Sequence, residues 1–110
     1  MDLHSALVSH SKEIDETLSH FFDTQEKEAS AIDQYLVQSV QLMRTFSLRG
    51  GKSIRSFLTR TAYDMAQGKK HEGLSQALAS VELHHKHILI LDDISDRDET
   101  RYGGPTLEYA

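Results

Sequence analysis

The sequence contains no cysteine and no tryptophan, and Pro105 is its single proline. Without cysteine the chain can form neither a disulfide scaffold nor a thiolate metal site. One proline, together with little alternation of polar and apolar residues, leaves few positions that favour strands. Hydrophobic residues make up 38% of the 110 residues, and the mean hydropathy is -0.48. A domain of this size and composition can bury a core, but a shallow one.

Long hydrophobic runs and an excess of basic residues are also absent. No segment is long and apolar enough to span a bilayer. The first ten residues, MDLHSALVSH, contain an early acid and no apolar run, unlike a signal peptide. Asp and Glu (17) outnumber Lys and Arg (12), which gives a net charge of -5 and argues against nucleic acid or an anionic membrane as the main partner. We therefore expect a cytoplasmic protein without a membrane span.

Apolar residues recur at helical spacing along the whole chain, which predicts an all-α fold. The pattern fits one domain, residues 1–110, built as an antiparallel bundle of about four helices. The polar residues 24–28 form either a loop or a solvated continuation of the first helix. The expected helices are a first over residues 2–23, a second from about 32 to a break at 46–51, a third from about 52 to a stop at 68, and a fourth, the longest, from about 74 to a stop at 102–105.

The helical period also predicts which faces are buried. Residues 107–110 follow a Gly-Pro breaker and resemble the first turn of another helix, so we expect the chain to be cut short. The faces expected to be buried comprise Ile54, Phe57, Leu58, Ala62 and Met65 in the third helix, and Leu74, Ala77, Leu78, Val81, His85, Ile88, Leu91 and Ile94 in the fourth.

An acidic cluster directly follows the apolar run of residues 88–91. In a helix, Asp92, Asp93 and Asp96 fall within an arc of about 100°, with Asp92 and Asp96 about 6 Å apart. Like charges at that spacing repel unless a cation lies between them. Magnesium takes one or two carboxylates together with phosphate oxygens and water, so the cluster indicates a magnesium site. The alternative is a solvated acidic helix end.

A histidine and an arginine accompany these carboxylates. His85 lies seven residues before Asp92, on the same helix face and about 10.5 Å away along the axis. Arg101 follows the acidic cluster. One surface thus carries acidic residues that suit a metal and a basic residue that suits phosphate. This combination indicates a diphosphate site.

Residues 50–55, with the sequence GGKSIR, form a second informative segment. Two glycines before a helix allow an anion to approach the backbone. Lys52 and Arg55 project from neighbouring positions of the first turn, where free amides and the positive helix end also face an anion. We interpret the segment as a phosphate clamp. A flexible loop that carries surface bases is the alternative.

Three other motifs share parts of these segments. A P-loop requires a glycine where Phe46 stands, and an EF-hand loop requires a ligand where Ile94 stands, so both are excluded. His84 and His87 share a helix face and stay open as a zinc pair.

In their order and spacing, the motifs resemble those of the trans-isoprenyl diphosphate synthases, also called polyprenyl synthetases. The N-terminal signature of that family reads GGKxxR, ExxH, DDxxD and RRGxPT. The resemblance extends from about residue 45 to the last residue. The matching residues are Gly50, Gly51, Lys52 and Arg55; Glu82 and His85; Asp92, Asp93 and Asp96; and Arg101, Gly103, Pro105 and Thr106.

The resemblance implies the N-terminal part of the all-helical isoprenoid synthase fold. It implies a prenyltransferase of isoprenoid biosynthesis that joins isopentenyl diphosphate to an allylic diphosphate and releases pyrophosphate, with Mg²⁺ as cofactor. The implied roles are magnesium ligation for Asp92 and Asp96, catalytic support for Asp93, binding of isopentenyl diphosphate for Lys52, Arg55 and His85, and contact with the allylic diphosphate for Arg101.

The sequence departs from the family pattern at several positions. Tyr102 stands in place of the second arginine of RRG, which removes one expected contact to isopentenyl diphosphate. Ser56 replaces the proline usual after Arg55, and Leu91 and Glu108 stand where many members have histidine. The family's second aspartate-rich motif lies on a much later helix and has no counterpart in these 110 residues. We therefore expect the piece alone to be catalytically incomplete.

In the resembled family, residues just before the first aspartate motif determine the length of the product, and here these are His87 and Ile88. The intermediate size of His87 favours a fifteen- or twenty-carbon product. We thus expect the N-terminal part of an enzyme similar to farnesyl or geranylgeranyl diphosphate synthases. The alternative is a non-catalytic helical regulatory or partner subunit of such a synthase. The apolar residues 88–91 predict self-association, as a homo-oligomer or with a complementing synthase half.

Overall fold

The structure is a computed structural model that describes residues 2–110, and four α-helices dominate it. A two-stranded antiparallel hairpin and a 3-10 turn follow the last helix. The predicted all-α bundle of about four helices is confirmed. None of the helices in residues 2–110 has the length and apolar content of a membrane span. The elements are α1 (Leu3–Ser30), α2 (Gln34–Leu48), α3 (Ile54–Met65), α4 (Leu74–Asp96), β1 (Thr100–Arg101), β2 (Gly104–Pro105) and the 3-10 turn Leu107–Tyr109.

Helix α1 begins after Asp2, whose carboxylate accepts a hydrogen bond from the Ser5 backbone N–H at 2.7 Å. Residues 24–28 continue this helix and do not form a loop. Phe22 and Ala29 are both buried, because a spacing of two turns keeps them on one face throughout the polar run. At 28 residues α1 is longer than α4, which has 23, so the prediction that the fourth helix is the longest was wrong.

Helices α1 and α2 form an antiparallel hairpin. Val37, near the start of α2, packs against the cluster that contains Ala29, and Leu48, at its end, packs against the cluster that contains Ile14. Leu83 of α4 packs against both clusters and joins the three helices into one core. The two clusters are formed by Ile14, Leu18, Leu78 and Ala79, and by Phe22, Ala29 and Val40.

Several predicted boundaries shift along the chain. Phe46 and Ser47 are buried inside α2 and do not break it; the break comes at residues 49–53. Helix α3 ends at Met65, before the predicted stop at residue 68. Helix α4 ends at Asp96, where Arg97 takes a left-handed φ of 56°. The predicted stop at 102–105 instead forms the turn and second strand of the hairpin, and residues 107–109 form only a 3-10 turn.

The buried face predicted for α3 was wrong, and the face predicted for α4 was right in part, since Leu78 is buried and Leu74, Val81 and His85 are partly buried. In α3 the fully buried residue is Ser56, while Leu58 is 60% and Met65 80% exposed. In α4, Ile88 and Leu91 are 43% and 51% exposed. Polar partners decide which face turns inward, because a buried polar group that gains a hydrogen bond is tolerated in the core. The residues that α4 buries are Leu78, Ala79, Glu82, Lys86 and Asp93.

Candidate functional site

The loop between α2 and α3 passes directly over α4. Gly51 has a φ of +104°, and a Cβ at this position would lie 3.1 Å from the Lys86 Nζ. The conformation favours glycine here, and any side chain at this position would also crowd the Lys86 Nζ. Ser53 also takes a left-handed φ, of 52°, immediately before the first turn of α3. The loop thereby presents Lys52 beside the N-terminus of α3.

A cavity of about 460 Å³, called the basic cavity below, opens between this loop and α4. It brings together Lys52, Arg55 and His85, the three residues expected to bind isopentenyl diphosphate. The first turn of α3 adds its positive end to the same space, which favours an anion. The full lining is Gly51, Lys52, Ser53, Ile54, Arg55, Glu82, His85, Lys86 and Tyr102.

Arg55 and His85 contact each other in the basic cavity. The Arg55 Nη1 lies 3.1 Å from the His85 Nε2. Because a guanidinium only donates hydrogen bonds, Nε2 is the acceptor and carries no proton. Burial, and then the positive charge of Arg55, lower the pKa of His85. The ring is therefore neutral at neutral pH, and its remaining N–H is free to act as a donor.

Glu82 is 4% exposed and stabilises the start of α3. Its Oε1 accepts a hydrogen bond from the Ser56 backbone N–H at 2.9 Å. A proline at position 56, usual in the resembled family, has no N–H to donate. The departure at Ser56 therefore creates the contact through which Glu82 holds α3 against α4.

Ser56 also joins α3 to α1. The His10 Nε2 lies 2.7 Å from the Ser56 Oγ, and the Arg60 Nε donates to the His10 Nδ1 at 3.2 Å. Since Nδ1 is an acceptor, Nε2 carries the proton and donates it to Ser56. The Arg60 Nη2 further pairs with the Glu13 carboxylate at 2.5 Å. These contacts, called the polar network below, attach the N-terminal helix to the segment that lines the basic cavity.

Asp93 and Arg101 form a bidentate ion pair at the end of α4. Asp93 is 1% exposed, and its oxygens accept from the Arg101 Nε at 2.9 and 3.0 Å and from Nη2 at 2.7 Å. The hydrogen bonds to Asp93 raise the pKa of Arg101. The pairing orients the hairpin beneath α4, because Arg101 belongs to β1.

The hairpin carries Tyr102 into the basic cavity. Tyr102 and Gly103 form its two-residue turn with φ values of 55° and 75°, the pattern of a type I′ turn. The Tyr102 ring packs within 3.4 Å of the position that a Gly50 Cβ would occupy. Arg49 fixes the hairpin by donating to the backbone oxygens of Arg101 at 3.2 Å and Pro105 at 2.5 Å.

Asp92 and Asp96 lie apart from the basic cavity, exposed on the last turns of α4. Neither belongs to an ion pair within residues 2–110, and the described residues contain no cluster of three or more His, Asp or Glu side chains that could hold a metal alone. Two exposed carboxylates one turn apart fit magnesium, which completes its coordination with phosphate oxygens and water. These two carboxylates alone do not fit zinc, which prefers four ligands that include His or Cys. The His84–His87 pair gains no third ligand within residues 2–110.

An apolar cavity of about 280 Å³ lies between α1, α2 and α4. His87 lines it together with Phe21, Met43 and Ile90. Ile88, the other residue expected to read product length, does not line this cavity and is 43% exposed. The two positions therefore face different surroundings in this chain.

Sequence reasoning missed two residues of the site, Arg49 and Lys86, and the contact between Glu82 and Ser56. Neither Arg49 nor Lys86 belongs to one of the motifs. One signal was present, since Lys86 follows Glu82 by four residues, and such pairs share a helix face. The contact of Lys86 with Gly50 spans 36 residues of sequence and has no local signature.

Two curated proteins similar to this chain are named as diphosphate synthases. The short chain isoprenyl diphosphate synthase of Methanocaldococcus jannaschii is 36% identical over 96 residues, which cover 87% of this chain and 26% of that protein. The geranylfarnesyl diphosphate synthase of Aeropyrum pernix is 45% identical over 58 residues, which cover 52% of this chain and 18% of that protein. The chain thus spans about a quarter or less of the length of these relatives. No solved structure matches it significantly.

The family comparison covers all elements of the site. The sequence profile of the family described as polyprenyl synthetase matches residues 36–110, which include most of α2, the Gly50-Gly51 loop, α3, α4 and the hairpin. The motifs stand in the family's order, and the basic residues of the GGKxxR and ExxH motifs meet in one cavity. The chain belongs to the polyprenyl synthetase family.

Proposed function

We propose that this chain is the N-terminal part of a trans-prenyltransferase that condenses isopentenyl diphosphate with an allylic diphosphate. The observation that carries the proposal is the basic cavity, in which Lys52, Arg55 and His85 converge beside a helix N-terminus. Such a constellation of basic side chains and a positive helix end suits a diphosphate. The names of the two curated relatives support the same reaction class.

The basic cavity binds isopentenyl diphosphate in this proposal. Lys52 and Arg55 neutralise its charge, and the neutral His85 ring donates its free N–H to a phosphate oxygen. Holding the diphosphate group orients the alkene for attack on the allylic carbon. The hydrogen bond between Arg55 and His85 keeps both side chains in position before the substrate arrives.

Asp92 and Asp96 would hold Mg²⁺ on the allylic diphosphate. The chemistry that such an ion would supply is positive charge beside the departing pyrophosphate, which would assist ionisation of the allylic carbon. Asp93 acts through Arg101: it fixes the guanidinium through Nε and Nη2, and the guanidinium contacts the allylic diphosphate. In this proposal Asp92 and Asp96 are metal ligands, whereas Asp93 orients Arg101.

The chain alone would be an incomplete enzyme in this proposal. It spans 26% of the length of the synthase from M. jannaschii, and a second aspartate-rich motif is needed opposite the first to complete the metal cluster. The remaining length would come from further chain or from a complementing partner. His87, which lines the apolar cavity, would limit the product to fifteen or twenty carbons.

A second candidate is a non-catalytic partner subunit of a prenyl diphosphate synthase, acting in the cytoplasm. The exposed apolar side chains of α3 and α4 favour it, since Leu58, Ile88 and Leu91 lie open to solvent. Such residues suit an interface with a second protein. Both candidates use the same chain and differ in whether the first aspartate motif binds ligand.

Calorimetry separates the two candidates. Geranyl diphosphate is titrated into the chain with Mg²⁺, in chelator, and into the double variant Asp92→Ala/Asp96→Ala. We expect binding that needs Mg²⁺ and is lost in the variant. The double variant Asp98→Ala/Glu99→Ala removes the same charge nearby and should bind as the unaltered chain does. Binding that is absent throughout, or equal in both double variants, contradicts the proposal and favours the partner subunit.

A further inference from the structure

Lys86 is a buried ammonium group at the floor of the basic cavity. It is 5% exposed and lies next to His85 on α4. Its Nζ donates a hydrogen bond to the Gly50 backbone oxygen at 2.6 Å and lies 4.5 Å from the centre of the Tyr102 ring. The side chain also lines the apolar cavity and thus lies between the two cavities.

The hydrogen bonding of this ammonium group is incomplete. A lysine Nζ has three donors, and the Gly50 oxygen is its one hydrogen-bond acceptor within residues 2–110. The Tyr102 ring offers a weaker cation–π contact on another side. A buried charge is costly unless it is paired and hydrogen-bonded, so the site gains if an anion supplies further acceptors.

The surrounding charges do not satisfy Lys86 either. Glu82 and Asp15 attract it and Arg101 repels it, yet burial is the largest influence and the pKa of Lys86 is lowered. One oxygen of Glu82 already accepts from the Ser56 N–H. The lining of the basic cavity therefore contains three cationic side chains and one carboxylate, an excess of positive charge that suits a diphosphate.

We propose that Lys86 binds the diphosphate group held in the basic cavity, as a further basic residue beside Lys52, Arg55 and His85. The hairpin contributes Tyr102 to this cavity and no charge, and Lys86 supplies a charge from beneath the Tyr102 ring. Its bond to Gly50 orients the Nζ towards the cavity while holding the loop. This inference rests on the proposed function and assigns a substrate contact that the family motif does not contain.

Pyrophosphate binding in chelator, without metal, tests the inference on the basic cavity alone. We expect Lys86→Met to weaken pyrophosphate binding at least tenfold and Lys86→Arg to restore much of the affinity. Lys12→Met is the matched control, because Lys12 is exposed on α1 and lines a different cavity. Its affinity should stay within twofold of the unaltered chain. Equal affinities for Lys86→Met and the control overturn the inference.

A second measurement covers the possibility that Lys86→Met fails to fold. In the unaltered chain, the ¹⁵N resonance of the Lys86 ammonium, assigned with Lys86→Arg, should shift as pyrophosphate is added. No shift at saturating pyrophosphate overturns a direct contact, and a purely structural role for Lys86 would then stand.

The two proposals fail in different ways. If pyrophosphate binds and Arg55→Met weakens it while Lys86→Met does not, the diphosphate site survives and the role of Lys86 is overturned. If the unaltered chain does not bind pyrophosphate, the basic cavity is no diphosphate site, and both proposals fall.

Discussion

At the scale of single residues, the site is held by a few contacts that tolerate little change. Gly51 accommodates a left-handed φ and the approach of Lys86, Asp93 accepts three hydrogen bonds from Arg101, and each contact joins a different pair of elements. Removing one side chain therefore disturbs both elements that meet at it.

Gly51→Ala should destabilise the chain by about 1–2 kcal/mol, because an alanine at a φ of +104° is strained. The new Cβ would also press on the Lys86 Nζ, so pyrophosphate affinity should fall as well. Gly50→Ala is the matched control, since its Cβ would make only ordinary contact with the Tyr102 ring, at 3.4 Å. Urea unfolding measures the stability of both variants. An equal free energy of unfolding for the two variants would contradict the prediction.

Arg101→Met should lower the free energy of unfolding by about 3 kcal/mol, because it leaves the buried Asp93 carboxylate without its partner. Lys70→Met removes one charge from an exposed loop position and should change stability by less than about 0.5 kcal/mol. Urea unfolding at pH 7 compares the two. If the free energy of unfolding falls equally little in both variants, the buried Asp93 carboxylate does not need Arg101 as its partner.

At the scale of elements, the polar network places three helices relative to one another. His10 of α1 meets Ser56 of α3, and the backbone of Ser56 meets Glu82 of α4. Apolar packing between α1 and α3 is slight: His10 and Phe57 meet edge to face with ring centres 5.6 Å apart. The position of α3, and with it Arg55, thus depends on hydrogen bonds more than on a shared apolar core.

Stability should depend on pH through His10. Burial, and then the charge of Arg60, lower the pKa of His10, while Glu13 and Glu82 partly oppose this. The unfolded chain therefore binds the proton more readily than the folded chain. The stability contributed by neutral His10 is complete above the unfolded pKa of about 6.5 and is lost as the pH falls through the lower folded value.

Urea unfolding between pH 8 and pH 5 checks this dependence. His10→Gln should be less stable than the unaltered chain at pH 8, and the difference should shrink as the pH falls. His20→Gln alters an exposed histidine on the same helix and should keep the pH dependence of the unaltered chain. If His10→Gln shows the full pH dependence, His10 is not the titrating group.

At the scale of the whole molecule, the bundle is open on one side. The radius of gyration is 15.4 Å, against about 13 Å for a compact domain of this length. Apolar side chains of α3 and α4 remain outside the core: Leu58, Ile88 and Leu91 are exposed, although α4 also buries Leu78 and Ala79. A partner surface or further chain would cover them.

These exposed residues predict self-association. Light scattering at high protein concentration should report a mass above that of the monomer of 12.5 kDa. Ile88→Glu/Leu91→Glu, two changes on one face of α4, should shift the protein towards monomer. Val8→Glu changes an exposed apolar residue of α1 and should have less effect. A monomer at every concentration would contradict the prediction.

The all-α class, the four helices and the Gly-Gly loop could be predicted from the sequence, because period and glycine chemistry act within a few residues. The motif order likewise indicated that Lys52, Arg55 and His85 belong to one site, and they line one cavity. Helix ends were less accurate. The sequence left open whether residues 24–28 form a loop or extend α1, as they do, because polar helix formers show no apolar period.

The sequence by itself therefore determined the helical class and the set of basic and acidic residues from which a diphosphate site can be built. The tertiary structure decided which groups are buried and paired. Lys86 turns inward because Gly50 lies above it, and Asp93 is removed from the exposed carboxylates because Arg101 of the hairpin reaches it. In both cases a charged side chain is buried, and hydrogen bonds from residues distant in sequence offset the cost of removing it from water. Hydrophobic periodicity is a local pattern and does not show which distant residues supply those hydrogen bonds.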